Sequence, residues 1–297
     1  MAIRSVDVVV VSYNSRNQLR GCVEPLAGVP GVRTIVVDNA SPEESLSVLE
    51  PLDVSTIQLD RNAGFAAGCN AGWRAGTGEY VLFLNPDARI DPAPLERLAD
   101  VLDSDPAVGI VAPQILQPDG SLDFSQRRFP RLGSTYAHAF FLHRIFRGAA
   151  WTSELVQDAR AYERPGSPEW ASGACLLVRR SLLEQLSGWD DGFFMYCEDK
   201  DLCRRARDLG HDVRFEPGAV ILHEGGASAS RASLSPTLAA SRARYARKHH
   251  RWLHAELERV GIALTALTHA IAGRGGRAGR AGHLRALRAA FRSAHIA

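Results

Sequence analysis

Asp7-Val8-Val9-Val10-Val11-Ser12 and, one helical segment later, Thr34-Ile35-Val36-Val37-Asp38 decide the fold. Unbroken β-branched runs of this length mark strands buried on both faces, as in a parallel sheet covered by helices. Between them, 15–26 reads as a helix. Outward from this pair the alternation continues. A helix is expected over 42–49, with Ser41 as N-cap and Pro42 at its first position. Strands follow at 55–59, 80–84 and 108–112, with helices at 64–73 and 92–102 between them. A βαβ series of this kind folds with right-handed crossovers around a largely parallel sheet.

The pattern weakens over 125–168, which is aromatic and basic. It resumes with strands at 170–178 and 220–223 and a helix at 198–209 stopped by Gly210. Beyond about residue 235 the chain reads as helical. Val260, Leu264, Leu267 and Ile271 recur at helical spacing, and a short basic helix with Leu284, Leu287 and Phe291 on one side follows the Gly/Arg-rich 273–282. The expected division is a catalytic domain over 1–234, with halves 1–113 and 114–234, and a helical basic extension over 235–297.

Composition is that of a globular protein, 45% hydrophobic and 23% charged. The five cysteines form no CxxC pair, which points away from a disulfide framework or structural zinc and toward a reducing, cytoplasmic setting. No secretory signal is expected at the start, and the longest uncharged stretch outside strands, 261–273, is shorter than the roughly 20 residues that span a bilayer. The net charge of +2 conceals an asymmetry: twelve basic and two acidic residues from Arg242 onward, against 23 and 31 before it. A basic tail on an acidic body suggests an anionic surface as the tail's partner. That surface is expected to be the inner face of a membrane, reached through the six arginines Arg274, Arg277, Arg280, Arg285, Arg288 and Arg292. Nucleic acid is not expected as a partner.

Open α/β sheets bind ligands beyond the carboxyl ends of their strands. Four consecutive strand ends here carry small polar or acidic groups: Ser12-Tyr13-Asn14-Ser15, Asp38-Asn39-Ala40-Ser41, Arg61-Asn62-Ala63-Gly64-Phe65 and Asn85-Pro86-Asp87. One such end is ordinary turn chemistry. Four along one edge indicate a polar ligand. Asp38 is placed to accept from a ribose or base. Neither GxGxxG nor GxxxxGK[ST] is present, so a pyrophosphate needs another counter-charge, most simply a divalent cation held by a carboxylate. Asp87 is the best single candidate, although Asn-Pro-Asp is also a good turn tripeptide.

The motifs VSYNS (11–15), VVDNASPE (36–43), LDRNAGFAAGCNAG (59–72) and VLFLNPDA (81–88) resemble glycosyltransferase family 2, inverting enzymes of the GT-A fold, and most closely its rhamnosyltransferase-like branch. WASGACLLVRR (170–180), GWDDGFFMYCEDKDLCRRARDLG (188–210) and ILHEGGAS (221–228) agree, in order. The resemblance implies a Rossmann-like α/β fold with a mixed, mostly parallel sheet. It also implies transfer of a sugar from a dTDP- or UDP-linked donor, L-rhamnose from dTDP-rhamnose by branch, to a hydroxyl of a cell-surface glycan or lipid-linked acceptor. It places Ser12, Tyr13, Asp38 and Asn39 at the nucleoside, and Arg61, Asn62, Gly64 and Phe65 in the loop closing on nucleotide and sugar. Asn85 and Asp87 stand at the metal motif, His223 at a further ligand of Mn2+ or Mg2+, and Asp199 at the catalytic base. Asn85 departs from the family's first Asp, which removes a negative charge near the cation. Glu198, Trp170 and Trp189 are assigned to the acceptor side, the tryptophans being equally readable as core aromatics. A sugar-nucleotide pyrophosphorylase would need a Gly- and Arg-rich loop after the first strand, which VSYNSRNQ is not. A non-catalytic relative would be expected to lose Asp87 or Asp199.

Overall fold

Strands form where the β-branched runs fall. In the computed structural model, which describes residues 4–225, 231–273 and 276–291, β1 (Val6–Ser12) is buried along its whole length. It pairs in parallel with β2 (Val32–Asp38) on one side, in a register that sets Ser12 opposite Asp38. Helix α1 (Arg16–Val23) crosses between them. β3 (Ser55–Gln58) extends this side, and β4 (Tyr80–Leu84) pairs in parallel on the other flank of β1. The short β5 (Ala88–Arg89), β6 (Val108–Leu116), β7 (Leu122–Asp123), β10 (Cys175–Arg179) and β11 (Asp212–His223) complete a nine-stranded sheet, ordered β3-β2-β1-β4-β10-β6-β11-β5 with β7 on β6. β10 runs antiparallel between β4 and β6, so the sheet is mixed and mostly parallel. Helices α2 (Phe65–Ala75), α3 (Pro92–Ser104), α6 (Arg180–Leu186) and α7 (Glu198–Asp208) belong with it. A separate two-stranded pairing joins β8 (Gln126–Arg127) to β9 (Trp170–Ala171).

Two glycines let α2 pack tightly on β1. A Cβ on Gly72 would lie 2.3 Å from Val9 Cγ1, and one on Gly68 2.6 Å from Val11 Cγ1. Helix α2 therefore sets its glycines directly on the Val9 and Val11 side chains of β1. The five cysteines are buried and none is in a disulfide, as expected of small apolar residues.

Three local expectations are corrected. The 42–49 helix is only a 3-10 turn at Ser45–Leu49, because Ser41 does not cap it: its hydroxyl donates to the Asp38 carboxylate, and its Oγ, the acceptor a cap would offer, takes the Asn14 N–H at 3.0 Å instead. The 170–178 strand is interrupted at Ser172-Gly173-Ala174. The Gly/Arg-rich 273–282 is already helical from Gly276.

The chain forms two compact units: Met1–Arg127, Ala159–Asp191 and Asp199–Ser228 in one, Arg128–Asp158, Gly192–Glu198 and Ala229–Ala297 in the other. They do not part at 234/235, since Arg128–Asp158 and Gly192–Glu198 join the C-terminal helices. In this helical unit α4 (Leu132–Ala139), followed by the one-turn α5 (Leu142–Ile145), packs on α9 (Trp252–Ile271). α10 (Gly276–Ala289) lies on α9 and α8 (Arg231–His249) over a core of small residues, among them Ala239, Ala263, Ala266 and Ala286. The expected basic tail is thus a docked helix. Leu287 packs against that core, and the Arg259 guanidinium sits 5.4 Å from the Phe291 ring centroid. Arg274 and Arg292 lie outside the described residues. Among the described residues no helix is long and apolar enough to cross a membrane.

Candidate active site

The ends of β1 and β2 and the loop after β3 are laced together by one amide. Asn39 Nδ2 donates to Asn62 Oδ1 at 3.0 Å and to the Gly64 carbonyl at 3.1 Å, while its Oδ1 accepts from Ala63 N at 2.9 Å. Gly64 N also donates to Asn62 Oδ1, at 3.1 Å, and Gly64 takes φ +91°, a region that favours glycine. Asn39 is buried with both amide donors and its acceptor engaged. Through these bonds it shapes the 61–65 loop. Asp38 is also buried, its carboxylate accepting from Ser41 N at 2.9 Å and Ser41 Oγ at 2.6 Å. A cleft of about 730 Å³ opens beside it, lined by Asp38, Ser41, Glu43, Glu44 and Gln58 among others. Tyr13 and Arg61 are exposed along the same edge, Asn62 and Phe65 are half-buried, and Ser12 is buried.

The loop after β4 brings the expected cation ligands together. His223 ends β11, where it registers with Ala88, and its Nε2 stands 3.2 Å from Asp87 Oδ1. Asp123, a residue the motifs did not single out, places Oδ2 3.9 Å from His223 Nδ1. Burial by itself would lower the imidazole's pKa, but the Asp123 and Asp87 carboxylates outweigh it and hold His223 up at about 9. Asp87 is in turn held below the usual carboxylate range, the His223 contact outweighing the cost of burial. Neither ring nitrogen makes an aligned hydrogen bond despite burial. A buried imidazole so oriented against a carboxylate suits a cation that takes the proton's place. Among the described residues no three His, Cys, Asp or Glu side chains form a complete ligand set. Asp87 and His223 are two donors of the kind divalent cations take, and such cations commonly accept ligand oxygens at their other positions.

Asp199 stands at the start of α7 and is half-buried. Its Oδ2 accepts from Gly173 N at 3.0 Å and its Oδ1 from its neighbour Lys200 N at 2.7 Å. Burial pushes the carboxyl above the usual range, against the pull of those two N–H groups and of the Lys200 and Arg127 charges. Gly173 permits the approach, since a Cβ there would sit 3.1 Å from Asp199 Cβ. The next residue, Ala174, accepts from Asn85 N at 2.9 Å. The break in the expected 170–178 strand therefore couples the Asp199 carboxylate to the Asn85-Pro86-Asp87 loop. A lone glycine in a strand pattern was the available signal for Gly173. Asp123 gave none.

The expected acceptor contacts fare differently. Trp189 is 3% exposed, edge-on to Phe83 at 4.9 Å and Phe65 at 5.8 Å, with its backbone exchanging two hydrogen bonds with Asn70. Trp170 is 8% exposed and covered by Lys200 Nζ at 5.0 Å and the Arg127 guanidinium at 5.6 Å. Burial of both rings favours the core-aromatic reading that the sequence left equally open. Glu198 is buried. Asp201 makes the expected i,i+4 pair, accepting from Arg205 Nε at 2.7 Å.

The family model for glycosyl transferase family 2 matches residues 7–187. The N-acetylglucosaminyl-diphospho-decaprenol L-rhamnosyltransferase of Mycobacterium tuberculosis is 31% identical over 84% of this chain and 87% of its own length. The rhamnosyltransferase WbbL of Escherichia coli is 29% identical over 73% and 83%. Among solved structures, the mannosyltransferase PcManGT from Pyrobaculum calidifontis, in complex with GDP-Man and Mn2+, superposes with a TM-score of 0.59 at 18% identity, covering 97% of this chain and 86% of that one. The architecture is the GT-A fold that the motifs implied.

Proposed function

The chain belongs to glycosyltransferase family 2, and from that premise we propose that it transfers L-rhamnose from dTDP-rhamnose, with inversion, to a hydroxyl of a lipid-linked glycan precursor, Asp199 acting as general base. The observation that carries this reading is the half-buried Asp199 carboxylate tied through Gly173 and Ala174 to the Asn85–Asp87 loop. A base fixed beside the loop that faces the diphosphate is what an inverting displacement needs. The sugar and the lipid-linked acceptor come from the relatives' printed activities.

In this reading 1–113 supplies the nucleotide-sugar half of the site. Tyr13, Asp38, Arg61 and Asn62 line the nucleotide edge, with the 61–65 loop shaped by Asn39. Asp199 takes the acceptor hydroxyl's proton as that oxygen forms its bond to the sugar's anomeric carbon. The bond from that carbon to the diphosphate oxygen breaks, its electron pair leaves with the nucleoside diphosphate, and the proton remains on Asp199. The raised pKa of the carboxyl strengthens it as a base. Asp87 and His223 would hold a divalent cation, Mn2+ or Mg2+, with Asn85 beside them, and such a cation neutralises charge on a departing diphosphate.

The test is a panel of nucleotide sugars offered with a prenyl-diphosphate-linked N-acetylglucosamine acceptor, with and without Mn2+, reading nucleoside diphosphate release and glycosylated product. Release above background with dTDP-rhamnose, dependent on acceptor, is the expected result. Acceptor-dependent release only with another donor refutes the sugar assignment, and none with any donor refutes the transfer itself.

A further inference from the structure

Helix α9 has two apolar faces, and among the described residues only one of them is covered. Its small residues, Ala255, Gly261, Ala263, Ala266 and Ala270, are buried. A Cβ on Gly261 would lie 2.6 Å from Thr135 Cγ2, so α4 packs directly on this side. Ile262 joins the small residues in the core, but most of the large apolar residues point elsewhere. Leu253, Leu257, Val260, Leu264, Leu267 and Ile271 recur at alternating spacings of four and three, a single straight seam along the helix. Five of the six are exposed, Leu253 at 63% and Ile271 at 74%, and Leu264 is half-buried. Trp252, at the seam's N-terminal end, is 77% exposed. Isolated exposed leucines are ordinary, but a contiguous seam of them marks a binding surface.

The charge of the helical unit says what that surface meets. By sequence the unit carries seventeen basic and five acidic residues. Three of the five acids are spent internally: Glu154 pairs with Arg242 and Glu256 with Arg259, while Glu258 is buried and accepts from Thr135. Arg251, Arg277, Arg280, Arg285 and Arg288 are all exposed. The segment after α4, which meets α9 where Phe141 stacks on His269 at 4.8 Å, exposes Phe140, Ile145 and Phe146 together with Arg144 and Arg147. A second copy of this unit would bring two strongly cationic bodies together, which like-charge repulsion disfavours. An anionic bilayer surface satisfies both features at once, taking the apolar seam among its acyl chains and the arginines among its headgroups.

We propose that the α9 seam lies in the plane of an anionic lipid surface and anchors the protein there, with the arginines of the same unit as its electrostatic component. This assigns the apolar anchor to α9 and not to α10, whose Leu287 packs inward on the helical unit's core.

The test is flotation of the full chain with vesicles of phosphatidylcholine alone or with 30% phosphatidylglycerol, at low and high salt. The expected result is binding to the anionic vesicles only, weakened by salt. The seam variant L253S/L257S/I271S changes only exposed positions and should partition at least about tenfold more weakly. R277Q/R280Q/R285Q/R288Q should also bind more weakly and with a shallower salt dependence. Circular dichroism and thermal melts check that both variants remain folded. Donor-dependent nucleoside diphosphate release, measured with a soluble acceptor, reports on the transferase reading separately. Failure of the wild type to float with anionic vesicles overturns the proposal. So does full binding by the seam variant, or a wild-type dimer in light scattering that the seam variant converts to monomer.

Discussion

Replacing Asp199 with Asn removes the proposed base while keeping its shape. The structure sets the size of the side effects. Each carboxylate oxygen accepts one backbone N–H, from Gly173 at 3.0 Å and from Lys200 at 2.7 Å. An amide has one acceptor oxygen, so in Asp199→Asn one of those two N–H groups faces a donor. Losing one hydrogen bond to a charged group costs about 1.5–3 kcal/mol. For a unit of this size about 2 kcal/mol lowers Tm by roughly 4–8 °C, a shift that a thermal melt of the variant reads. Loss of the base should lower kcat by about 10²–10⁴-fold. Donor KM should change little, because the nucleotide edge is built on other residues. Gly173→Ala tests the same geometry from the other side. Its methyl would press on Asp199 Cβ at 3.1 Å, and a shift of a few tenths of an ångström should cost about tenfold in kcat with donor KM preserved. In the wild type, burial raises the Asp199 carboxyl, so activity should fall on acidification at a pH above the ordinary aspartate value. Initial rates of nucleoside diphosphate release, normalised to the folded fraction, are the assay. An Asp199→Asn enzyme within tenfold of wild-type kcat refutes the role, as does a loss that follows the unfolded fraction alone.

Chelator should abolish transfer and Mn2+ or Mg2+ restore it, and Asn85→Asp, which adds a carboxylate beside Asp87, should lower the Mn2+ concentration needed for half-maximal rate; unchanged rates in excess chelator would remove the cation. Gly72→Ala drives a methyl to 2.3 Å from Val9 Cγ1 and should cost about 1–3 kcal/mol in urea denaturation, partly recovered in Gly72→Ala/Val9→Ala. The helical unit should be acid-labile: burial, then the neighbouring His143 and Arg242, lower His138 from 6.5 to about 4. The unfolded chain thus binds this proton first, so the penalty is absent above 6.5, grows as pH falls and is complete below about 4. Discounted for partial exposure it is about 2 kcal/mol, and His138→Phe should flatten the melting temperature across that window.

The central strands were legible because a parallel sheet covered on both faces demands uninterrupted apolar runs, and few other structures do. The 42–49 helix was not, because its start depended on a competition. Ser41 is a good cap residue, but its hydroxyl is turned onto the Asp38 carboxylate and its Oγ accepts from Asn14 N, far back in the chain. Residues 125–168 had no readable period because β8, α4 and α5 are short and owe their form to what they pack against. Helix α9 is the instructive case. The spacing of its large apolar residues announced a helix correctly but did not say which face would be buried. The buried face is mostly alanine and glycine, with Ile262 among them, where α4, α8 and α10 pack closely.

The site divides along the same physical line. Loops after parallel strands collect on one edge whatever their sequence, so Asp38, Asn62 and Asp87 could be placed there from strand order alone. Whether a side chain in such a loop faces a ligand depends on partners far away in the chain. Asn39 has the right chemistry for a nucleoside but is consumed by Asn62, Ala63 and Gly64, more than twenty residues on. Trp170 and Trp189 have the right chemistry for a sugar but are closed over by Lys200, Arg127, Phe65 and Phe83. Asp123 arrives beside His223 only because β7 folds back on β6. Gly173 matters only because a methyl there would meet Asp199. Strand order therefore locates the edge, while the long-range hydrogen bonds decide which of its polar groups remain available for chemistry. By that criterion Asp199 is a strong residue on which to stake the mechanism. Its two partners are backbone N–H groups that hold the carboxylate in place and leave each oxygen a further lone pair for an incoming hydroxyl.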